Sequence, residues 1–250
     1  MEINMQPKEG FVEMYDNMIL SPQMRDMYNG SGFYNVGDWS KAPSTLGTAC
    51  HEMVSRHIEQ VDKLLHPKSI LDVACGLGKT SSVIAESFPG ARVTGINISS
   101  NQVQYAKEHH NGIDFLVMDA TRMQFPSGHF DLMISIEAVF HFNTRKDFIH
   151  EAYRILRPGG QLVFTDILFH NTDWVGKWSV PPANLITDVD VYQQLFIDAG
   201  FRITHCEDIT AVSVKGFCNH LRSAMGMHEL ATGFEDSILA YLLVSLQKPY

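Results

Sequence analysis

The sequence predicts an α/β protein, a doubly wound and mostly parallel sheet of seven strands with helical caps at the amino terminus and in an insertion. Three observations carry that prediction. The apolar run Ile70, Leu71, Val73 and Ala74 reads as a buried strand that breaks at Gly76 and Gly78 before a helix-like stretch, residues 79–88. Strand-like and helix-like segments then alternate as far as residue 167, the pattern of repeated βα units in a parallel sheet covered on both faces. With 250 residues, 45% of them hydrophobic and 19% charged, the chain has apolar material for one full core. A single core with attached caps is therefore the expected division.

Residues 1–66 read as an amino-terminal helical cap and 67–250 as the core, with a cap insertion over 168–187 and a helical addition over 211–236. Six of the twelve methionines fall before residue 28, joined by Tyr15, Tyr28, Phe33, Tyr34 and Trp39. Such adaptable side chains suit a helix over residues 11–20 that packs on the domain, or a mobile cap over a hydrophobic site. Ser44 is placed to cap a helix over 45–65, whose apolar residues recur at helical spacing up to Pro67. Further strands are expected at 91–96, 113–118, 130–136 and 161–167. Helices are expected at 100–110 and 145–156, the latter stopped by Arg157-Pro158-Gly159-Gly160. The carboxyl half reads as a helix over 189–199 ended by Gly200, a strand over 201–209, an amphipathic helical stretch over 213–236 and a last strand over 238–247.

The formal charge is −9 and lysines and arginines do not cluster. Nucleic acid and anionic membrane both demand a basic footprint, so neither is expected as a partner. No apolar run reaches the roughly 18 residues of a membrane-spanning helix, and the amino terminus lacks a secretory pattern. A cytoplasmic protein is expected. Cys50, Cys75, Cys206 and Cys218 show no C-x-x-C spacing, so packing thiols are expected and no metal. Cys75 lies inside the glycine turn, yet no neighbouring cation is evident to make it a nucleophile.

Three ligands commonly occupy a turn of this kind: a nucleoside triphosphate, a dinucleotide, or S-adenosylmethionine. The phosphate-binding pattern G-x-x-x-x-G-K-[ST] fails, because position 73, where its first glycine belongs, is Val73. The dinucleotide pattern is weakened twice, by Ser81 at the third glycine and by Asn97 where an acid would hold the ribose.

L-D-V-A-C-G-L-G, from Leu71 to Gly78, resembles the first motif of the class I S-adenosylmethionine-dependent methyltransferases. V-T-G-I-N-I-S-S-N-Q, Val93 to Gln102, resembles the ribose-binding segment of their small-molecule branch. M-D-A-T-R-M-Q-F-P, Met118 to Pro126, is similar to the adenine-binding segment, and R-I-L-R-P-G-G-Q-L, Arg154 to Leu162, to the turn into the fifth strand. The four stand in family order over residues 69–167. The resemblance implies a Rossmann-like fold, S-adenosyl-L-methionine as cofactor, and Asp72, Ala74, Gly76, Gly78, Asn97, Ile98, Gln102, Asp119, Ala120, Glu137, Tyr28 and Tyr34 as its contacts. Asp72 would favour the ammonium and Asp119 the adenine amino group. Asn97 departs from the carboxylate that many relatives place on the ribose hydroxyls, and a capping role for it stays open, as a turn role does for Asp119.

Methyl transfer is an in-line displacement, so the protein chiefly aligns the acceptor and excludes water. In the sugar and polyketide O-methyltransferases that the chain resembles, a histidine after the fourth strand and an aspartate after the fifth flank the acceptor. That role carries over to His141 and Asp166; a hydrogen-bonding role without catalysis is the alternative for His141. Trp39, Phe140, Phe169, Trp174 and Trp178 are expected at an aromatic small-molecule acceptor, or as cap packing. The expected reaction is methylation of an O or N atom. C-methylation, or a cyclase or decarboxylase that uses the sulfonium without transferring methyl, is the alternative within the fold, and a nicotinamide-dependent oxidoreductase is the competing class. Monomer and homodimer are both compatible with the sequence.

Overall fold

The computed structural model describes residues 10–172 and 180–250. The chain opens with α1 (Phe11–Ile19), α2 (Pro22–Met27) and α3 (Leu46–Glu59). α2 has no apolar period to announce it; its signal is Ser21-Pro22, a cap followed by proline at the first helical position. Ser21 Oγ accepts the Met24 N–H at 3.1 Å. α3 is capped by Thr45 rather than Ser44 and stops six residues short of its expected end at 65. Asp62 Oδ1 accepts the Leu64 N–H at 2.9 Å and turns the chain, so Leu64 points to solvent at 85% exposure instead of extending the apolar stripe.

Alternating units follow: β1 (Ser69–Val73), α4 (Lys79–Ser87), β2 (Arg92–Asn97), α5 (Ser100–His109), β3 (Asp114–Val117), β4 (Phe130–Ser135), α6 (Arg145–Ile155) and β5 (Leu156–Phe169). The carboxyl half supplies α7 (Val189–Asp198), β6 (Arg202–Asp208), α8 (Val214–Met225), α9 (His228–Ser237) and β7 (Ile238–Gln247). The expected helical stretch over 213–236 is thus two helices, broken where Gly226 takes φ 67°. β5 begins five residues before the expected 161, because Leu156 already pairs with Phe130 and a register shift before Leu132 absorbs the Pro-Gly-Gly turn.

The seven strands lie in the order β3-β2-β1-β4-β5-β7-β6. β1 pairs in parallel with both β2 and β4, and β7 runs antiparallel between β5 and β6. The winding reverses between β1 and β4, which opens a crevice at their carboxyl ends. Alternate residues serve opposite faces. Ile70, Leu132, Ile134 and Val163 pack with Met53, Ile84 and Phe217, while Leu71, Val73, Met133 and Phe164 pack with Phe148, Tyr192 and Phe196. α3 belongs to the first of these layers through Cys50, Met53 and Val54, so it covers the sheet rather than capping it. The strap between α2 and α3 is pinned to the core by Asp38 N–H on Ala49 O at 2.9 Å and Trp39 N–H on Val212 O at 2.8 Å. Among the described residues no helix is long and apolar enough to cross a membrane.

Candidate active site

The turn after β1 is built from left-handed residues: Ala74 at φ 61°, Gly76 at 54° and Gly78 at 87°. The two glycines serve different ends. A Cβ at Gly76 would meet nothing within 4 Å, and Gly76 borders a cavity of about 190 Å³ at the carboxyl edge of the sheet. A Cβ at Gly78 would lie 2.8 to 2.9 Å from His110, Ala106 and Phe115, so Gly78 permits the close seating of α4 against α5 and β3 and is absent from the cavity wall. Asp72 is also absent from that wall. It is fully enclosed, accepts from Ser81 Oγ at 2.6 Å, and is pushed up to about 7 by burial, with the Ser81 bond opposing the rise. The expected ammonium contact thus becomes a tie between β1 and α4, and Ser81, at the third dinucleotide glycine, is its partner. Cys75 borders the cavity, but burial pushes its thiol well up, which agrees with a packing residue.

The expected ribose and adenine residues do converge. Asn97, Ile98 and Gln102 border the cavity on one side, Asp119 and Ala120 beside them. Asp119 Oδ1 accepts the N–H and hydroxyl of Thr121, both at 2.8 Å, so one oxygen shapes its own turn. Over this corner lies α1, the stretch expected either to pack on the domain or to cap a hydrophobic site; Phe11, Val12, Tyr15 and Ile19 border the cavity. Asp16 on α1 accepts from Ser99, Asn101 and Gln102 on α5 and its cap. Tyr34 borders the cavity; Tyr28 does not, being buried behind it with ring centroids 5.1 Å apart.

Past β4 the chain brings Glu137 and His141 to the same cavity. Glu137 Oε2 accepts the Val36 N–H and the Tyr241 hydroxyl, each at 2.8 Å, which clamps the strap to β7. Burial raises its carboxyl to about 7 against the pull of those two bonds. Tyr15, a residue not marked as functional by the sequence, places its hydroxyl 2.5 Å from His141 Nε2. Asp166 stands elsewhere. It is fully buried in β5, receives Arg145 Nε at 2.6 Å and Tyr192 Oη at 2.8 Å, and does not border the cavity. Arg145 in turn bonds the Asn184 carbonyl, and Asn184 Nδ2 donates to the carbonyls of Phe140 and Phe142 on either side of His141, at 3.0 and 2.7 Å. The expected acceptor-flanking aspartate therefore anchors the segment that carries His141. A buried arginine needs that carboxylate, which no reading of β5 alone reveals.

The expected acceptor aromatics are redistributed as well. Phe140 and Phe169 are buried, their ring centroids 5.5 Å apart, and the Phe140 ring lies 4.0 Å from that of His141, tilted 42° to it. Trp39 donates through Nε1 to Val36 O at 2.9 Å, packs at a tilt 4.8 Å from His220 and does not border the cavity. Trp174 and Trp178 lie outside the described residues. The apolar wall comes instead from Phe11, Ile19, Phe33, Ile136 and Phe142. Among the described residues no cluster suited to a metal ion is found.

The chemistry of the lining discriminates between cofactors. The wall carries two carboxyl groups, Asp119 and Glu137, and neither lysine nor arginine among the described residues. The two carboxyl groups and the apolar wall suit S-adenosylmethionine, a sulfonium with an ammonium and no phosphate, and no side-chain cation stands there for a triphosphate.

Residues 71–164 match the model of a methyltransferase domain. The chain is 30% identical to the O-methyltransferase cnsE of Penicillium expansum over 79% of its own length and 74% of that protein's. It is 29% identical to an O-methyltransferase of Pyrenophora dematioidea over 78% and 76%. Two solved structures share the fold: the geranyl diphosphate C-methyltransferase of Streptomyces coelicolor A3(2), TM-score 0.77 at 15% identity over 97% and 99% of the chains, and the [4+2]-cyclase SpnF, 0.72 at 21% over 95% and 94%. With the glycine turn, Asn97 and Gln102 at the cavity and a wall without lysine or arginine among the described residues, these likenesses lead to one assignment: the chain belongs to the class I S-adenosylmethionine-dependent methyltransferases of the small-molecule type.

Proposed function

We propose that the protein methylates a hydroxyl oxygen of a small, apolar or aromatic natural-product-type metabolite, with His141 as the base that takes the hydroxyl proton. One observation carries this reading: His141 Nε2 is already hydrogen-bonded to a hydroxyl, that of Tyr15 at 2.5 Å, in the cavity that holds the glycine turn. Burial, and then the nearby Glu137 charge, raise the Tyr15 phenol above its ordinary range, so it stays protonated and is the donor. Nε2 is then the acceptor, the state a base requires. An acceptor hydroxyl that replaced the phenol would meet the same lone pair. A nitrogen acceptor attacks through its own lone pair and gains little from such a base, which favours oxygen.

The bound cofactor supplies an electrophilic methyl group. The protein supplies position and dryness: Phe11 and Phe142 close the apolar side, and the strap clamped by Glu137 keeps Phe33 and Tyr34 in the wall. The O-methyltransferase relatives support the same choice of atom.

The test is a panel of phenols, alcohols and amines incubated with S-adenosylmethionine and read by the mass gain of one methylene. On the best hydroxyl acceptor, His141→Ala is expected to lower kcat by about 10² to 10⁴ fold, with the affinity for S-adenosylhomocysteine kept. A variant that turns over at the wild-type rate, or methylation confined to amines, would defeat the proposal.

A further inference from the structure

α1 sends two adjacent side chains to different partners, Tyr15 to His141 in the cavity wall and Asp16 to the first turn of α5 and its cap. Asp16 is 8% exposed. Its Oδ1 accepts from Ser99 Oγ at 2.6 Å and Gln102 Nε2 at 2.9 Å, and its Oδ2 from Asn101 Nδ2 at 2.9 Å. Gln102 Oε1 accepts from Asn97 Nδ2 at 3.1 Å, and Asn97 Oδ1 accepts the Ser99 N–H at 2.9 Å.

The polarity of this relay is set from both ends. A carboxylate only accepts, so Gln102 must turn its NH₂ toward Asp16. A backbone N–H only donates, so Asn97 must turn its oxygen toward Ser99. One orientation of the two amides satisfies both requirements, and it leaves each amide nitrogen a second N–H that the relay does not use. Asn97 and Gln102 border the cavity and Asp16 stands behind them. Its negative charge at the amino end of α5 is also favoured by the helix dipole.

We propose that Asp16 is a positioning residue for the cofactor ribose: through Gln102 it holds the Asn97–Gln102 amide pair in the orientation that offers N–H donors to the ribose hydroxyls. The carboxylate missing at position 97 is replaced by one supplied from α1, placed one residue further back, and cofactor recognition is thereby tied to the docking of α1. The inference rests on the S-adenosylmethionine reading of the cavity.

Isothermal titration of the full chain with S-adenosylhomocysteine and its 2′-deoxy and 3′-deoxy analogues tests it. For the wild type, loss of a recognised hydroxyl is expected to weaken binding about tenfold. In Asp16→Asn the parent ligand is expected to weaken by about tenfold, and the deoxy penalty to shrink below about threefold. Gln102→Leu leaves the Ser99 and Asn101 bonds to Asp16 in place. It is expected to lose the same discrimination while the α1 amides keep their protection from hydrogen exchange. A deoxy penalty that persists in either variant overturns the proposal, as does wild-type affinity in Asp16→Asn; if Asp16→Asn does not fold, Asp16→Ser takes its place with the same expected outcomes. A wild type that binds no S-adenosylhomocysteine would instead bring down the cofactor reading, and this inference with it.

Discussion

Glu137 gives the molecule a measurable pH dependence. Its carboxyl rises from 4.5 to about 7 because it is buried, while Val36 N–H and Tyr241 Oη, both on Oε2 at 2.8 Å, hold the rise in check. In the unfolded chain the group ionises near 4.5, so between 4.5 and about 7 the folded state retains a proton that the unfolded state has lost. Stability therefore falls as pH rises through that window and levels off above it. At about 1.4 kcal/mol for each pH unit, the ionised carboxylate costs the fold roughly 3 kcal/mol by about pH 8. Glu137→Gln cannot ionise, yet its amide oxygen can accept both bonds from Val36 and Tyr241. Urea denaturation of wild type and variant across the window is the assay. The two should converge near pH 4.5, and the variant should be the more stable by roughly 3 kcal/mol at about pH 8. Asp72, also raised to about 7 by burial, is present in both proteins and cancels in the difference. A difference independent of pH would refute the assignment of a proton to Glu137 in the folded state.

Asp166→Asn leaves Arg145 charged and buried without its carboxylate, with an expected loss of about 3–5 kcal/mol in urea denaturation. Arg145→Met should cost a similar amount and the double variant no more than either, since one pair is broken in each case. The two turn glycines should separate stability from binding. Gly78→Ala, with its Cβ under 3 Å from Ala106, Phe115 and His110, is expected to lose about 2–4 kcal/mol from overpacking and left-handed strain, read as a lower denaturation midpoint. Gly76→Ala should lose only about 1–2 kcal/mol from strain but weaken S-adenosylhomocysteine in calorimetry, because it meets no atom and borders the cavity.

Much of the cavity wall was legible where the signal is local. Ala74, Gly76, Asn97, Ile98, Asp119 and Ala120 border the cavity because each sits at or just past the carboxyl end of a strand whose apolar run is plain in the sequence, and Gln102 borders it from the first turn of α5. Glu137 and His141 follow by the same rule after β4. The rule fails at Asp72 and Asp166. Both lie within strands, so their side chains are committed to a face before the strand ends, and each found a partner there, Ser81 or Arg145. Tyr15 and Asp16 were missed for the opposite reason. Their partners lie 126 and 83 residues away, and the methionines and aromatics around α1 announce a packing helix or a cap without showing which residues it meets.

By itself, then, the sequence determined the sheet, the glycine turn between β1 and α4, and the cofactor they imply, because strand length, glycine φ and helix periodicity are properties of neighbouring residues. Tertiary structure decided which carboxyl groups border the cavity and which stay inside. It also decided that α1 supplies the hydroxyl on His141 and the carboxylate behind Gln102. Burial and charge pairing set those roles, and both depend on groups that meet only when distant parts of the chain have folded together.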